Sequence, residues 1–496
     1  MVTSAAPLLE MRRIDKSYPG VRALHQVDLT LARGEVLALV GENGAGKSTL
    51  IKMLGGAHQP DAGSIRIDGA DVNLERPSDA IRAGIGVIYQ EFNLVPGLTA
   101  WENIFLGRER GVGFVRRSEE RRQAKELFER IGVDIPVDTP CQQLSVAQQQ
   151  IVEIAKALSQ DVRLLVMDEP SATLSPQEMG RLFDIIRDLK AQGIGVIYIS
   201  HRLDEVFDIA DRVMVLRDGQ NVGDAAIDQM TRGRLIEMMV GREIEDEFPK
   251  HHHEIGEPRL VVNNLCRGRA VQGVSFNVRR GEVLGVTGLV GAGRTETARL
   301  IFGADRAESG SVWLDGVELR LRQPRDAIRA GICLLTEDRK SQGLVLGRSV
   351  RENFGLPNLK ECSRLGFVSQ QRERQALSKY VASLQIKIPH QEQITKHLSG
   401  GNQQKIVLAK WLQKNAEVVL FDEPTRGIDV GTKYEIYLLI NELCRQGKAI
   451  IMISSELPEV LGMSDRILVM HKGRVTGVIE DVPAATQQQI MELAVG

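Results

Sequence analysis

Gly41-Glu-Asn-Gly-Ala-Gly-Lys-Ser48 follows the apolar run Glu35-Val-Leu-Ala-Leu-Val40 and precedes the helix-like Thr49-Leu-Ile-Lys-Met-Leu54. Strand, glycine loop, helix is the setting in which G-x-x-x-x-G-K-[ST] binds phosphate. The glycines let backbone N–H groups converge on phosphate oxygens, and the helix N-terminus adds its positive dipole end. On this reading Gly41, Glu42, Asn43, Gly44, Ala45, Gly46, Lys47, Ser48 and Thr49 hold a nucleoside triphosphate. Lys47 reaches the β- and γ-phosphates, and the Ser48 hydroxyl ligates Mg²⁺. A chance glycine-rich turn would lack the matching flanks on both sides.

The chain has 496 residues, enough for two to four domains of about 150 residues each. It is 43% hydrophobic and 26% charged, so it can bury large cores and still present a charged surface. A formal net charge of −2 argues against a dominant nucleic-acid footprint, though not against a local basic patch, and no nucleic-acid partner is expected. The longest apolar runs are strand-length, far short of the ~20 residues of a membrane span. The first ten residues have neither the charged region nor the apolar stretch of a signal peptide. Five scattered cysteines with no C-x-x-C fit a reduced compartment without structural zinc.

The chain repeats itself. Gly34-Glu-Val-Leu-Ala-Leu-Val-Gly41 returns as Gly281-Glu-Val-Leu-Gly-Val-Thr-Gly288, displaced by 247 residues. Gly41–Lys47 returns as Gly288-Leu-Val-Gly-Ala-Gly-Arg294, and Ala80–Ile85 as Ala327–Ile332, at the same displacement. Leu144-Ser145 then matches Leu398-Ser399, and Met167-Asp-Glu-Pro170 matches Phe421-Asp-Glu-Pro424, both at 254. The pattern predicts a tandem duplication, with one seven-residue insertion between residues 338 and 398. The expected domains are 8–243 and 259–496, joined by a charged linker at 244–258. His251-His-His253 in that linker reads as a solvated run rather than a metal site. In each half, strands alternating with helices predict an α/β core on a mainly parallel sheet, with a closing hairpin at Arg212–Gly219.

Asp168 and Glu169 close the apolar strand Leu164-Leu-Val-Met167. That is how P-loop enzymes place a Mg²⁺-linked Asp beside the phosphates, with an adjacent acid able to polarise water. The arrangement recurs at Asp422 and Glu423.

With these motifs quoted, the whole chain resembles the ATP-binding cassette proteins. Signature-like loops stand at Leu144-Ser-Val-Ala-Gln148 and Leu398-Ser-Gly-Gly-Asn402. The resemblance implies two tandem P-loop ATPase domains, each with an antiparallel β subdomain and a helical subdomain. It implies ATP and Mg²⁺ as cofactors and a glutamine loop at Gln90, a further Mg²⁺ ligand. It also implies a switch histidine at His201 and an adenine-stacking aromatic at Tyr18. In the family two cassettes stack head-to-tail, so each ATP meets the P-loop of one and the signature of the other.

The resemblance then sorts the departures into two sites. Site one combines Lys47, Gln90, Asp168, Glu169 and His201 with Ser399, Gly400, Gly401, Asn402 and Asp429. Its one departure is Asn402, where the family usually has Gln. Site two combines Gly288, Gly293, Arg294, Thr295, Glu337, Asp422, Glu423 and Ser455 with Ser145. There Arg294 replaces the lysine, Glu337 the glutamine and Ser455 the histidine. Val146-Ala147 stands where signature glycines belong, Ser175 stands opposite the position of Asp429, and no aromatic between Pro258 and Ser275 matches Tyr18. One competent and one impaired site are expected, because an arginine cannot place a compact ammonium between phosphates.

Gly288-Leu-Val-Gly-Ala-Gly-Arg-Thr295, Thr336-Glu-Asp-Arg-Lys340 and Asp422-Glu-Pro-Thr-Arg-Gly-Ile-Asp-Val430 narrow the resemblance. They are similar to the ATP-binding subunits of bacterial monosaccharide importers, those for ribose nearest and those for xylose, arabinose and galactose sharing the strings. The resemblance implies membrane permease subunits and a periplasmic sugar-binding protein as partners. It places the chain peripherally on the cytoplasmic face of the inner membrane, docked through a groove around Glu91-Phe-Asn-Leu-Val-Pro96. One chain closing on itself and a homodimer pairing across halves carry identical motifs. The rival is a soluble tandem cassette acting on ribosomes or DNA, expected to show a long basic linker, two intact sites or cysteine-rich inserts; this chain has none of them.

Overall fold

The computed structural model describes residues 7–18, 21–90, 92–108, 116–171, 174, 176–200, 202–241, 247–364 and 366–496. His201, Glu91 and Ser175 therefore lie outside the described residues. The chain divides into two compact units, Met1–Ile244 and Glu245–Gly496.

Unit 1 is built on a six-stranded sheet. Ile85–Ile88, Leu164–Asp168, Gly195–Ile199, Val36–Val40 and Arg212–Arg217 run parallel in that spatial order, and Gln220–Ala226 closes the edge antiparallel. These strands read as unbroken apolar runs because both faces are covered. Side chains alternate across a strand, so neighbouring residues serve different cores. Leu37, Leu39, Leu164, Val166, Ile197 and Ile199 join the P-loop helix and the antiparallel sheet. Val36, Leu165, Met167, Val196 and Tyr198 join the helices of the opposite face, including Phe128 of helix Arg117–Ile131. The antiparallel sheet is Leu9–Tyr18 flanked by Val21–Leu31 and Ala62–Ile67, with Ala70–Asp71 at its edge.

Unit 2 repeats this layout. Ile332–Leu335, Val418–Asp422, Ala449–Ile453, Val283–Gly288 and Arg466–His471 are parallel, and Arg474–Ile479 is the antiparallel edge. Its own antiparallel sheet contains Pro258–Arg267, Val271–Arg279, Ser309–Leu314 and Val317–Leu319. The segment before Pro258 is tethered within this unit. Phe248 packs on Tyr437 with ring centroids 5.7 Å apart, and Lys250 pairs with Asp465 at 2.8 Å. His251 and His252 are exposed and His253 is half-buried.

The duplication is staggered differently from the sequence expectation. Asn103 accepts from Val95 N at 2.7 Å, and Asn353 accepts from Val345 N at 2.7 Å, a displacement of 250 rather than 247. Ala100 N donates to Thr139 O and Val350 N to Gln393 O, so the displacement reaches 254 before residue 391. The seven extra residues therefore enter in two places. Three fall between Glu337 and Gly343, where Arg339–Gly343 forms one π-helical turn. Four fall between Asn353 and Gln391, a stretch that includes the short hairpin Ser363–Arg364 and Phe367–Val368. The sequence carries the same split, because Leu94-Val95, Gly97 and Glu102-Asn103 return as Leu344-Val345, Gly347 and Glu352-Asn353, displaced by 250.

Candidate functional site

The P-loop backbone needs its glycines. Gly41 has φ 151° and Gly46 φ 109°, in the region that favours glycine. A methyl at Gly41 would sit 2.1 Å from the Leu216 carbonyl oxygen, and one at Gly46 would sit 2.8 Å from that of Ala23. Helix Lys47–Leu54 then begins with no side-chain cap, so no side chain occupies its N-terminal N–H groups. The Lys47 ammonium is held over the loop by the carbonyls of Gly41 at 2.6 Å and Glu42 at 3.0 Å. Ser48 is exposed at the helix start.

Two strand ends meet beside this loop. Asp168 ends Leu164–Asp168, and burial, aided by the charge of Glu169, pushes its carboxyl up to about 6. Lys47 and Lys52 oppose that rise. Glu169 follows at φ 49°, a left-handed conformation that costs a non-glycine residue about 1 kcal/mol or more. Its N–H donates to Ile199 O at 2.9 Å, which fixes the turn, and its carboxylate accepts from Gln90 Nε2 at 2.9 Å. Gln90, Asp168, Glu169 and Lys47 are thus gathered by adjacent strand ends and one helix. Tyr18 is 37% exposed, and its ring meets His58 edge-on at 5.7 Å.

A second feature of this site was not anticipated from the sequence. The Glu205 carboxylate is buried and accepts from Ser171 Oγ at 2.6 Å, Tyr198 Oη at 2.9 Å and Ser200 Oγ at 2.8 Å. Ser171 lies two residues beyond Glu169, and Ser200 directly precedes His201, so one carboxylate ties both strand ends. Burial and then Glu205 hold the Tyr198 phenol well above its ordinary range. Unit 2 keeps the device: Glu459 accepts from Thr425 at 2.9 Å and from Ser454. The signal was a Glu four residues past each strand-end His or Ser.

The second P-loop keeps its fold and changes its chemistry. Gly288 and Gly293 are again at φ 149° and 95°, and Glu423 again at 49°. Arg294 is turned onto protein groups, donating to Ser454 O at 3.0 Å and pairing with Glu423 at 3.5 Å. Ser455 Oγ donates to Glu423 at 3.1 Å, and Thr295 Oγ1 donates to Asp422 at 3.1 Å. Burial pushes Asp422 up to about 6 and raises Glu423, with Arg294 opposing both. Glu337 makes no copy of the Gln90 contact; its carboxylate pairs with Arg426 instead.

The signature loops are capped helix starts. Ser145 caps Val146–Leu158 and Ser399 caps Gly400–Leu412, each accepting the N–H of the third helical residue. Asn402 Nδ2 also donates to Ser399 Oγ at 3.0 Å, and Asn402 Oδ1 accepts from Lys387 N at 2.8 Å. A methyl at Gly401 would lie 3.0 Å from Thr432 Oγ1, so the loop approaches the next helix closely. Asp429 caps Val430–Arg445 by accepting from Thr432 N at 2.9 Å.

The donor set suits a hard cation. A hydroxyl and a strand-end carboxylate meet directly in Thr295–Asp422, and Ser48–Asp168 is the same pair of groups in unit 1. Among the described residues no cluster of three His, Cys, Asp or Glu could hold a metal alone, and no helix is long and apolar enough to cross a membrane. In the expected docking groove, Leu94 packs partly on the core while Val95 is 42% exposed.

Comparison with known proteins gives a consistent family. A family model described as ABC transporter matches residues 24–172 and 271–426. The ribose import ATP-binding protein RbsA of Geobacillus kaustophilus (strain HTA426) is 48% identical over 492 residues, covering 99% of each chain. The ribose import ATP-binding protein RbsA 1 of Rubrobacter xylanophilus is 52% identical over 493 residues, covering 98% of each. Among solved structures, an ATP-binding cassette of an ABC transporter in its ADP conformation is 27% identical over 48% of this chain and 100% of its own, with TM-score 0.44.

Proposed function

The chain belongs to the ABC transporter family, and from that premise we infer that it is the ATP-hydrolysing, energy-coupling subunit of an importer for ribose or a related monosaccharide. The observation that carries the hydrolytic reading is the Gln90–Glu169 contact at the strand ends beside the Lys47 loop. The rival role on ribosomes or DNA finds no support in any of these relationships.

Water attacks the γ-phosphorus, the bond to the β–γ bridging oxygen breaks, and ADP leaves. Glu169 orients that water and accepts its proton, held in place by its own N–H bond to Ile199 O and by Gln90. Lys47 neutralises charge on the β- and γ-phosphates, and His201 is assigned to steady the γ-phosphate. Ser48, Asp168 and the Gln90 amide oxygen would hold Mg²⁺, which when bound spreads the phosphate charge. Tyr18, partly exposed, is assigned to stack on adenine. Ser399, Gly400, Gly401, Asn402 and Asp429 are the ligands a cassette offers to nucleotide held by an opposing P-loop. Site two, with Arg294 already engaged by Glu423, is assigned a non-hydrolytic role.

The proposed partners are permease subunits at the cytoplasmic face of the inner membrane and, through them, a periplasmic sugar-binding protein. Closure on ATP would be passed to the permease and reset by hydrolysis. The test is reconstitution with those subunits in vesicles. Sugar-stimulated phosphate release is expected; sedimentation with ribosomes and no stimulation by any pentose or hexose would overturn the reading.

A further inference from the structure

The three residues added between Glu337 and Gly343 build a turn in which Arg339 faces inward while Lys340 is exposed. Arg339 Nη1 donates to Arg426 O at 3.2 Å and Nη2 to Gly427 O at 3.5 Å. The same Nη2 lies where a methyl on Gly400 would come within 2.6 Å of it. Arg339 Nε is buried and makes no hydrogen bond. The far end of the turn is fixed as well, because the buried Lys410 ammonium, on the signature helix, donates to Gly343 O. In unit 1 the equivalent Lys156 donates to Asn93 O at 3.0 Å, but the shorter loop offers Phe92 where unit 2 has its inserted turn. Beside Arg339, Glu337 pairs with Arg426, whose carbonyl Arg339 also holds.

We propose that Arg339 is a positioning residue that clamps the start of the signature helix at Gly400 to the segment Arg426-Gly427 leading into Asp429. The proposal rests on the assignment of Ser399–Asn402 and Asp429 as nucleotide ligands. The planar guanidinium places two separate nitrogens in a rigid fork, Nη1 on Arg426 O and Nη2 between Gly427 O and Gly400, and the single nitrogen of an ammonium cannot occupy both positions. The unit that gave up the Gln90 contact thus uses the same loop, lengthened by three residues, to stiffen the surfaces it presents to nucleotide.

The test compares full-length Arg339→Ala and Arg339→Lys with the parent by steady-state ATPase and by hydrogen exchange of backbone amides. Arg339→Ala is expected to lower kcat by about tenfold to a hundredfold with KM for ATP within about twofold, as misplaced catalytic groups do. Exchange should accelerate at 399–402 and 426–429 while the strands Val283–Gly288 and Ala449–Ile453 stay protected, and Arg339→Lys should not restore either property. Unchanged kcat and exchange, or faster exchange spread over the whole of unit 2, would overturn the clamp. Should the parent chain itself hydrolyse no ATP, the functional reading fails while the exchange pattern still decides the clamp.

Discussion

Gln90 reaches Glu169 with a 2.9 Å hydrogen bond, while its repeat-mate Glu337 turns from Glu423 to pair with Arg426. A neutral amide can donate to a carboxylate and leave its charge intact. A second carboxylate in that place would repel it, so the exchange of Gln for Glu explains why one loop faces its strand-end acid and the other faces away.

Glu169→Gln removes the proton acceptor but keeps the side-chain shape and left-handed turn. Steady-state hydrolysis should fall by about a hundredfold or more while ATP binding persists. Phosphate release measured beside filter binding checks this; near-normal turnover would refute the role of Glu169.

Lys47→Ala and Arg294→Ala should differ sharply. The first removes the cation of the intact loop and should abolish ATPase activity. The second frees Glu423 in a site that is not expected to hydrolyse, and should cost less than about tenfold. Equal losses in a parallel phosphate-release assay would sink the asymmetry between the halves.

Tyr198→Phe takes one of three hydroxyl donors from Glu205 and should destabilise unit 1 by about 1 kcal/mol. Glu205→Ala strands all three hydroxyls around a cavity and should cost about 3 kcal/mol. Denaturant midpoints read both; a loss below about 0.5 kcal/mol for Glu205→Ala would mean the tie is not stabilising.

Unit 2 should lose stability as pH rises from about 4.5 to about 7. Burial lifts the Glu459 carboxyl to about 7 from an ordinary 4.5. Below 4.5 it is protonated folded and unfolded alike, and between those values the folded state holds the extra proton. Its contribution to the slope is therefore negative between pH 4.5 and 7, at most about 1.4 kcal/mol per pH unit, and flat above. Glu459→Gln should flatten that slope in urea titrations at pH 5, 6 and 7; an unchanged slope assigns it to other groups.

Motifs with fixed spacing were legible in the sequence: both glycine loops, the acids after apolar strands, the signature serines and the mainly parallel sheet. What was not legible depends on where loops turn. Nothing in Thr336-Glu-Asp-Arg-Lys340 tells that Glu337 and Arg339 address Arg426 and Gly427, nearly ninety residues away. The Glu205 and Glu459 ties escaped for a related reason. Their tyrosine donor comes from a strand in one half, Tyr198, and from a helix in the other, Tyr437, while Ser171 with Thr425 and Ser200 with Ser454 keep the 254-residue displacement but meet the carboxylate only in the fold.

The staggered insertions also restrict how the two halves can exchange sequence. A crossover between them inside the loop after Gln90 or Glu337 would yield a turn three residues too short for Arg339, or three too long for the Gln90 contact. Either recombinant would pair one half's strand-end acids with the other half's loop. Making the two copies alike in this loop would leave one half with a loop of the wrong length for its own contacts. Loop length and strand-end partner are thereby tied together within each half.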